Sequence, residues 1–148
     1  MPVGVLVVFP VRCLRNLPET AHEFPAAKRH TRGMRRLCFA LDLKNEPALI
    51  EAYRKWHEPG APPAAVSRSI RAAGISSLEI HLCGNRLFML MEVTPQFSLA
   101  AKAAADAADS EVQAWEKLMW TFQQALPWAA PGQKWVPAEK IYDLADQP

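Results

Sequence analysis

Ser76-Ser-Leu-Glu-Ile-His-Leu-Cys83-Gly84-Asn85-Arg86-Leu-Phe-Met-Leu-Met-Glu-Val93 decides the fold. Its first half alternates. Leu78, Ile80 and Leu82 fall on one side of an extended chain, and Glu79 and His81 on the other. Gly84-Asn85 reads as a tight hairpin turn. Arg86 to Val93 then returns as a second strand, so rich in apolar residues that it reads as covered on both faces.

Working outward, Ala64 to Ala73 reads as a short helix ending at Gly74, a glycine of the kind that closes helices. Before it lies the break Pro59-Gly-Ala-Pro-Pro63. Upstream of that break, Asn45-Glu-Pro47 starts another helix, with Asn45 as its cap and Leu49, Ile50, Tyr53, Trp56 and His57 at helical spacing. Arg35 to Leu43 alternates as a strand, with Leu37, Phe39, Leu41 and Leu43 on one face. After the hairpin, Pro95 stops the chain. Phe97–Ala108 and Ser110–Ala125 read as two helices, the second capped by Asp109 or Ser110. A last strand is expected over Lys134–Leu144, interrupted at Pro137.

The order is β-α-β-β-α-β with doubled helical links, the ferredoxin-like arrangement of an α+β fold. Such a sheet carries helices on one face only. The other face needs a cover, and a second copy forming a dimeric α/β barrel supplies one.

Half of the 148 residues are hydrophobic and 22% are charged, ordinary values for one globular domain. No apolar run approaches the ~20 residues of a membrane span. Residues 1–33 carry five basic and two acidic side chains, and the remainder twelve and thirteen. The body is near neutral and offers no basic stripe for nucleic acid. Met34 directly precedes the first strand. Residues 1–33 therefore read as an N-terminal extension, non-core or disordered, and residues 34–148 as the domain. Cys13, Cys38 and Cys83 form neither a disulfide framework nor a zinc motif, and fit reduced thiols in the cytoplasm.

One pair stands out as chemistry. Tyr53 and His57 lie four residues apart, on one helix face, just before Pro59-Gly60 ends the helix. A phenol beside an imidazole at a helix end suits acid–base work. Packing alone would also place them there. Glu79 and His81 share a strand face and suit either a pocket or an exposed ion pair. Of the five tryptophans, Trp115 and Trp120 are five apart, so one is expected in the core and the other at a cleft or interface.

Met34-Arg-Arg-Leu-Cys-Phe-Ala-Leu-Asp-Leu-Lys44, Tyr53-Arg-Lys-Trp-His57, Ser69-Ile-Arg-Ala-Ala-Gly-Ile75, Glu79 to Val93, Val112-Gln-Ala-Trp-Glu-Lys-Leu-Met-Trp120 and Leu126-Pro-Trp…Lys134-Trp-Val…Glu139-Lys-Ile-Tyr-Asp-Leu144 together resemble the L-rhamnose mutarotase family over residues 34–144. The turn and the Leu-Pro-Trp ending are closest to a branch associated with L-fucose as well as L-rhamnose. The resemblance implies a cytoplasmic homodimer that interconverts the α and β anomers of a 6-deoxy-L-sugar with no cofactor and no metal. It implies His57 as proton donor and Tyr53 and Trp115 as sugar contacts. Glu79, His81 and Glu116 complete the expected contacts, Glu116 standing where the family carries a second tryptophan. Leu78 stands where a second tyrosine is usual, and Gly60-Ala-Pro-Pro63 replaces a Trp-Pro.

The chemistry suits these residue types. Ring opening delivers a proton to the ring oxygen and takes one from the anomeric hydroxyl, whose partner is Tyr53, Glu79, His81 or water. The same fold also hosts haem and oxygenase chemistry, for which His57 would be an axial ligand, and sugar binding without turnover.

Overall fold

The computed structural model describes residues 33–148. The expectation for the N-terminal extension lies outside them except at Gly33.

Strand β1 (Arg35–Leu43) pairs antiparallel with β3 (Arg86–Val93), and β2 (Ile75–Cys83) pairs antiparallel with the other edge of β3. The outer edge of β1 carries two short pieces. β4 (Gln123–Gln124) pairs with Asp42–Leu43, and β5 (Val136–Pro137) with Phe39–Ala40. The resulting order is β2-β3-β1-β4, with β5 also on β1. Helices α1 (Pro47–Trp56) and α2 (Ala64–Ala72) link β1 to β2. Helices α3 (Leu99–Ala108) and α4 (Ser110–Trp120) follow β3. This is the mixed α+β, ferredoxin-like arrangement that the sequence implies.

The two sheet faces differ. Leu37, Phe39, Leu41 and Leu43 face the helices with Leu87, Met89, Met91 and Val93. Leu43 and Leu87 join Tyr53 of α1 and Trp115 and Met119 of α4 in one cluster. Phe39, Met91 and Val93 join Ile75 and Phe97 in another. The opposite face carries Arg36, Cys38 and Ala40 beside Glu92, Leu90 and Phe88, and then Ser77, Glu79 and His81. No described helix covers it, and Phe88 is 37% exposed. The expectation that β3 is buried on both faces is therefore corrected. Its apolar residues are split between a packed face and an open one.

A bulge reconciles two patterns in β2. Ile75 lies opposite Val93 and Ser77 opposite Glu92, so Ser76 is the extra residue. The inserted residue shifts the alternation by one, so that Ile75 and Leu78 both reach the helix side. The hairpin turn has positive φ at Gly84 and at no non-glycine residue, the pattern of a II′ turn. Asn85 docks this turn on β1. Its side-chain amide donates to Leu43 O at 2.9 Å, and its carbonyl accepts from Leu43 N at 2.7 Å. Gly74 follows α2 with φ +85°, and a Cβ there would meet Thr94 Oγ1 at 2.5 Å. Only glycine fits that position.

Four boundaries differ from the sequence reading. Helix α1 is capped by Glu46 without a side-chain bond rather than by Asn45, Pro47 sitting in its first turn. Helix α3 begins at Leu99 behind a Ser98 cap. Helix α4, capped by Asp109 Oδ1, stops at Trp120, because the chain turns there to pair Gln123–Gln124 with β1. The last strand shrinks to Val136–Pro137, since Pro137 has no N–H to continue a ladder. Leu144–Asp146 forms a 3-10 turn instead.

Candidate functional site

Helix α1 ends at Trp56, and His57 is its C-cap. Leu49, Ile50 and Tyr53 pack inward at helical spacing, and His57 continues that stripe, half-buried. The Tyr53 and His57 rings lie 4.2 Å apart between centroids. Trp115, projecting from α4, meets the His57 ring edge-on at 5.6 Å and the Trp56 ring at 6.2 Å. Phe122 closes the other side of Tyr53 at 6.2 Å. An imidazole is thus walled by one phenol and one indole, and a second indole, Trp56, packs on the first.

The orientation of His57 is set by its own helix. Nδ1 lies 2.8 Å from the Tyr53 carbonyl oxygen. A carbonyl only accepts, so Nδ1 carries the hydrogen and Nε2 holds the lone pair of the neutral ring. Burial pushes the His57 pKa below its ordinary 6.5, opposed by that backbone hydrogen bond. The neutral form is therefore favoured at neutral pH. Tyr53 is pushed up to about 12, chiefly by burial. The side-chain hydrogen bond from Gln123 opposes the shift and the negative charge of Glu116 adds to it. The phenol keeps its proton.

Glu116 follows Trp115 on α4 and stays partly exposed, held by Lys134 Nζ at 2.9 Å. The same ammonium lies 5.3 Å from the Trp120 ring centroid. The pair of tryptophans divides as expected. Trp115 is 8% exposed and packs in the core, whereas Trp120 reaches the surface.

The structure thus brings together His57, Tyr53, Trp115 and Glu116. Glu79 and His81 do not join them. Their side chains project from the open face of the sheet, where His81 Nε2 lies 3.2 Å from Glu79 Oε2 with both side chains largely exposed. The strand alternation that keeps Leu78 and Ile80 on the helix side sends Glu79 and His81 to the other. Within one chain, the six residues fall in two separate groups, and Glu79 with His81 forms the exposed ion pair that was one of the two expectations for them. Leu78 packs half-buried in the core. Sequence reasoning missed Gln123, whose amide reaches the Tyr53 hydroxyl. No motif or periodicity marked it.

The L-rhamnose mutarotase family matches residues 36–144 of this chain. An L-fucose mutarotase of Xanthomonas campestris pv. campestris is 50% identical over 114 residues, covering 77% of this chain and 91% of that protein. A UPF0734 protein of Dictyostelium discoideum is 32% identical over 109 residues, covering 71% and 86% respectively. Among solved structures, an L-rhamnose mutarotase of Formosa agariphila superposes with a TM-score of 0.53 at 20% identity, over 74% of this chain and 98% of that one, a likeness of fold. With the family matched over residues 36–144 and half of 114 aligned residues identical in one relative, the chain belongs to the L-rhamnose mutarotase family of isomerases.

Proposed function

We propose that this protein interconverts the α and β anomers of a 6-deoxy-L-hexose, L-fucose or L-rhamnose, with His57 as the proton-transfer group. The observation that carries the assignment is the fixed tautomer of His57, with Nδ1 tied to a carbonyl beside a protonated phenol and an indole. Family membership and the 50% identical L-fucose mutarotase support the substrate class.

The neutral ring acts first as a base. Nε2 takes the proton of the anomeric hydroxyl as the C1–ring oxygen bond breaks, and C1 becomes an aldehyde carbon. The resulting imidazolium gives that proton to the ring oxygen. Both oxygens are bonded to C1, so one nitrogen serves both. C1 then rotates about its bond to C2, and the reverse steps close the ring on the other face. Tyr53, protonated at working pH, donates a hydrogen bond to a sugar oxygen. Trp56, exposed and backed edge-on by the buried Trp115, offers apolar ring surface to the sugar's C–H face. Acid–base assistance of ~10²–10⁴-fold is sufficient for such a reaction.

The working form is read as a cytoplasmic homodimer. The uncovered sheet face with Phe88 and Leu90 supports the second copy, and a single-chain mass in light scattering would overturn it. Among the described residues no helix is long and apolar enough to cross a membrane.

Saturation-transfer NMR on the anomeric protons of L-fucose and L-rhamnose tests the activity directly. Exchange faster than buffer for at least one sugar is expected. Rates equal to buffer for both, with the sugar resonances broadened by binding, would make the protein a sugar-binding dimer instead.

A further inference from the structure

The residue left without a role is Gln123. It lies in the two-residue strand β4, clamped to β1 opposite Leu43, and the neighbouring Lys44 N donates to Phe122 O at 2.8 Å. Strand alternation turns Gln124 to solvent and Gln123 inward. Gln123 is only 5% exposed, among Leu43, Tyr53 and Phe122. Its side chain makes one hydrogen bond, from Nε2 to Tyr53 Oη at 3.4 Å. Among the described residues its amide has no other partner. Its one protein partner is therefore the Tyr53 hydroxyl, and no buried side-chain nitrogen or oxygen among the described residues is left unpaired.

The direction of the bond suggests what the amide does. An N–H donated to the phenol oxygen occupies one of its lone pairs. The phenol hydrogen is then directed away from Gln123. The Tyr53 ring also lies against the His57 ring. We infer that Gln123 is a positioning residue. It orients the Tyr53 hydroxyl so that its hydrogen is presented to the sugar oxygen beside His57. This rests on the mutarotase reading above and deepens it, tying strand β4 to the Tyr53–His57 pair on α1.

The test is a double-mutant cycle on anomer exchange, using L-fucose and L-rhamnose as probes and the full chain as the enzyme. Gln123→Met keeps the volume and removes the amide. It is expected to lower kcat/KM about 3–10-fold in the parent, the range for one lost neutral hydrogen bond. In the Y53F background, where there is no hydroxyl to orient, the same substitution should cost less than about twofold. Q124M, on the exposed neighbour, is the control. Equal losses from Q123M with and without the Tyr53 hydroxyl would overturn the inference, as would no loss in the parent. Carbon-13 labelling of the tyrosine ζ carbon gives a second readout independent of any sugar. Only Tyr53 and Tyr142 are present, so two resonances are expected. Q123M should shift the Tyr53 resonance and Q124M should not. An unmoved Tyr53 resonance in Q123M would overturn the inference even if turnover fell. A parent protein silent on both sugars would sink the mutarotase reading alone, and the labelled spectra would still judge the Gln123–Tyr53 contact.

Discussion

Two histidines sit on the two faces of one sheet, and their surroundings could hardly differ more. His57 is half-buried on the helix side against Tyr53 and Trp115, with one nitrogen committed to a backbone carbonyl. His81 stands on the open side, in an exposed pair with Glu79. In the sequence both look alike, a histidine near a possible partner. The fold separates them. A strand places neighbours on opposite faces, so His81 can join the His57 group only from another copy. What distinguishes a proton-transfer histidine is a fixed tautomer and a water-poor wall.

The sharpest way to break this contrast is to remove each imidazole. His57→Asn should reduce catalysed anomer exchange by ~10²–10⁴-fold, because asparagine fills the space but cycles no proton near neutral pH. His81→Asn should change it less than about twofold. Saturation-transfer rates measured side by side decide, and comparable losses in the two variants would bring the open face into the reaction.

Next in size is stability. Trp115 is almost fully buried against Tyr53 and Met119, so Trp115→Ala should cost about 3–5 kcal/mol in chemical denaturation. Trp128 is 63% exposed, with the Arg86 guanidinium across its ring at 5.3 Å from the centroid. Trp128→Ala should cost about 0.5–1 kcal/mol. Similar midpoints for the two would mean that Trp115 is a surface platform and not part of the core.

The smallest expected effect is on pH dependence. The folded His57 pKa lies below its ordinary 6.5, so the unfolded chain binds more protons in the window between the two values. The stability linked to neutral His57 is therefore complete above the unfolded value and is lost as pH falls through the folded one. Exchange should follow the same course, level near neutrality and declining on the acid side. Comparing the parent with H57N over pH 5–7.5 isolates this slope. An activity that rises on acidification would mean that the imidazolium is the resting form.

Much of this was legible in the chain itself. The hairpin at Gly84–Asn85, strand β1, the end of α1 at His57 and the closing role of Gly74 all follow from local rules of turn, cap and period. What escaped depends on tertiary contact. A two-residue strand at Gln123–Gln124 has no period to detect, and helix-forming residues around it favoured prolonging α4 to Ala125. The Ser76 bulge hid Ile75 among residues of the wrong phase. The same limits applied to the site. Tyr53 and His57 were visible through helical spacing, and Glu116 only by being next to Trp115. Glu79 and His81 were visible as a pair, but their face depends on which side the helices choose. Gln123 depends entirely on the register of β4 against β1.

The hydrogen bond that fixes His57 comes from the backbone of residue 53, and every amino acid supplies that carbonyl. The side chain at position 53 can therefore change without disturbing which nitrogen of His57 carries the proton. On the proposed reading, the residue that meets the sugar and the tautomer of the proton-transfer histidine can vary independently. A group of similar size can replace the phenol in that buried place while Nδ1 keeps the same carbonyl partner.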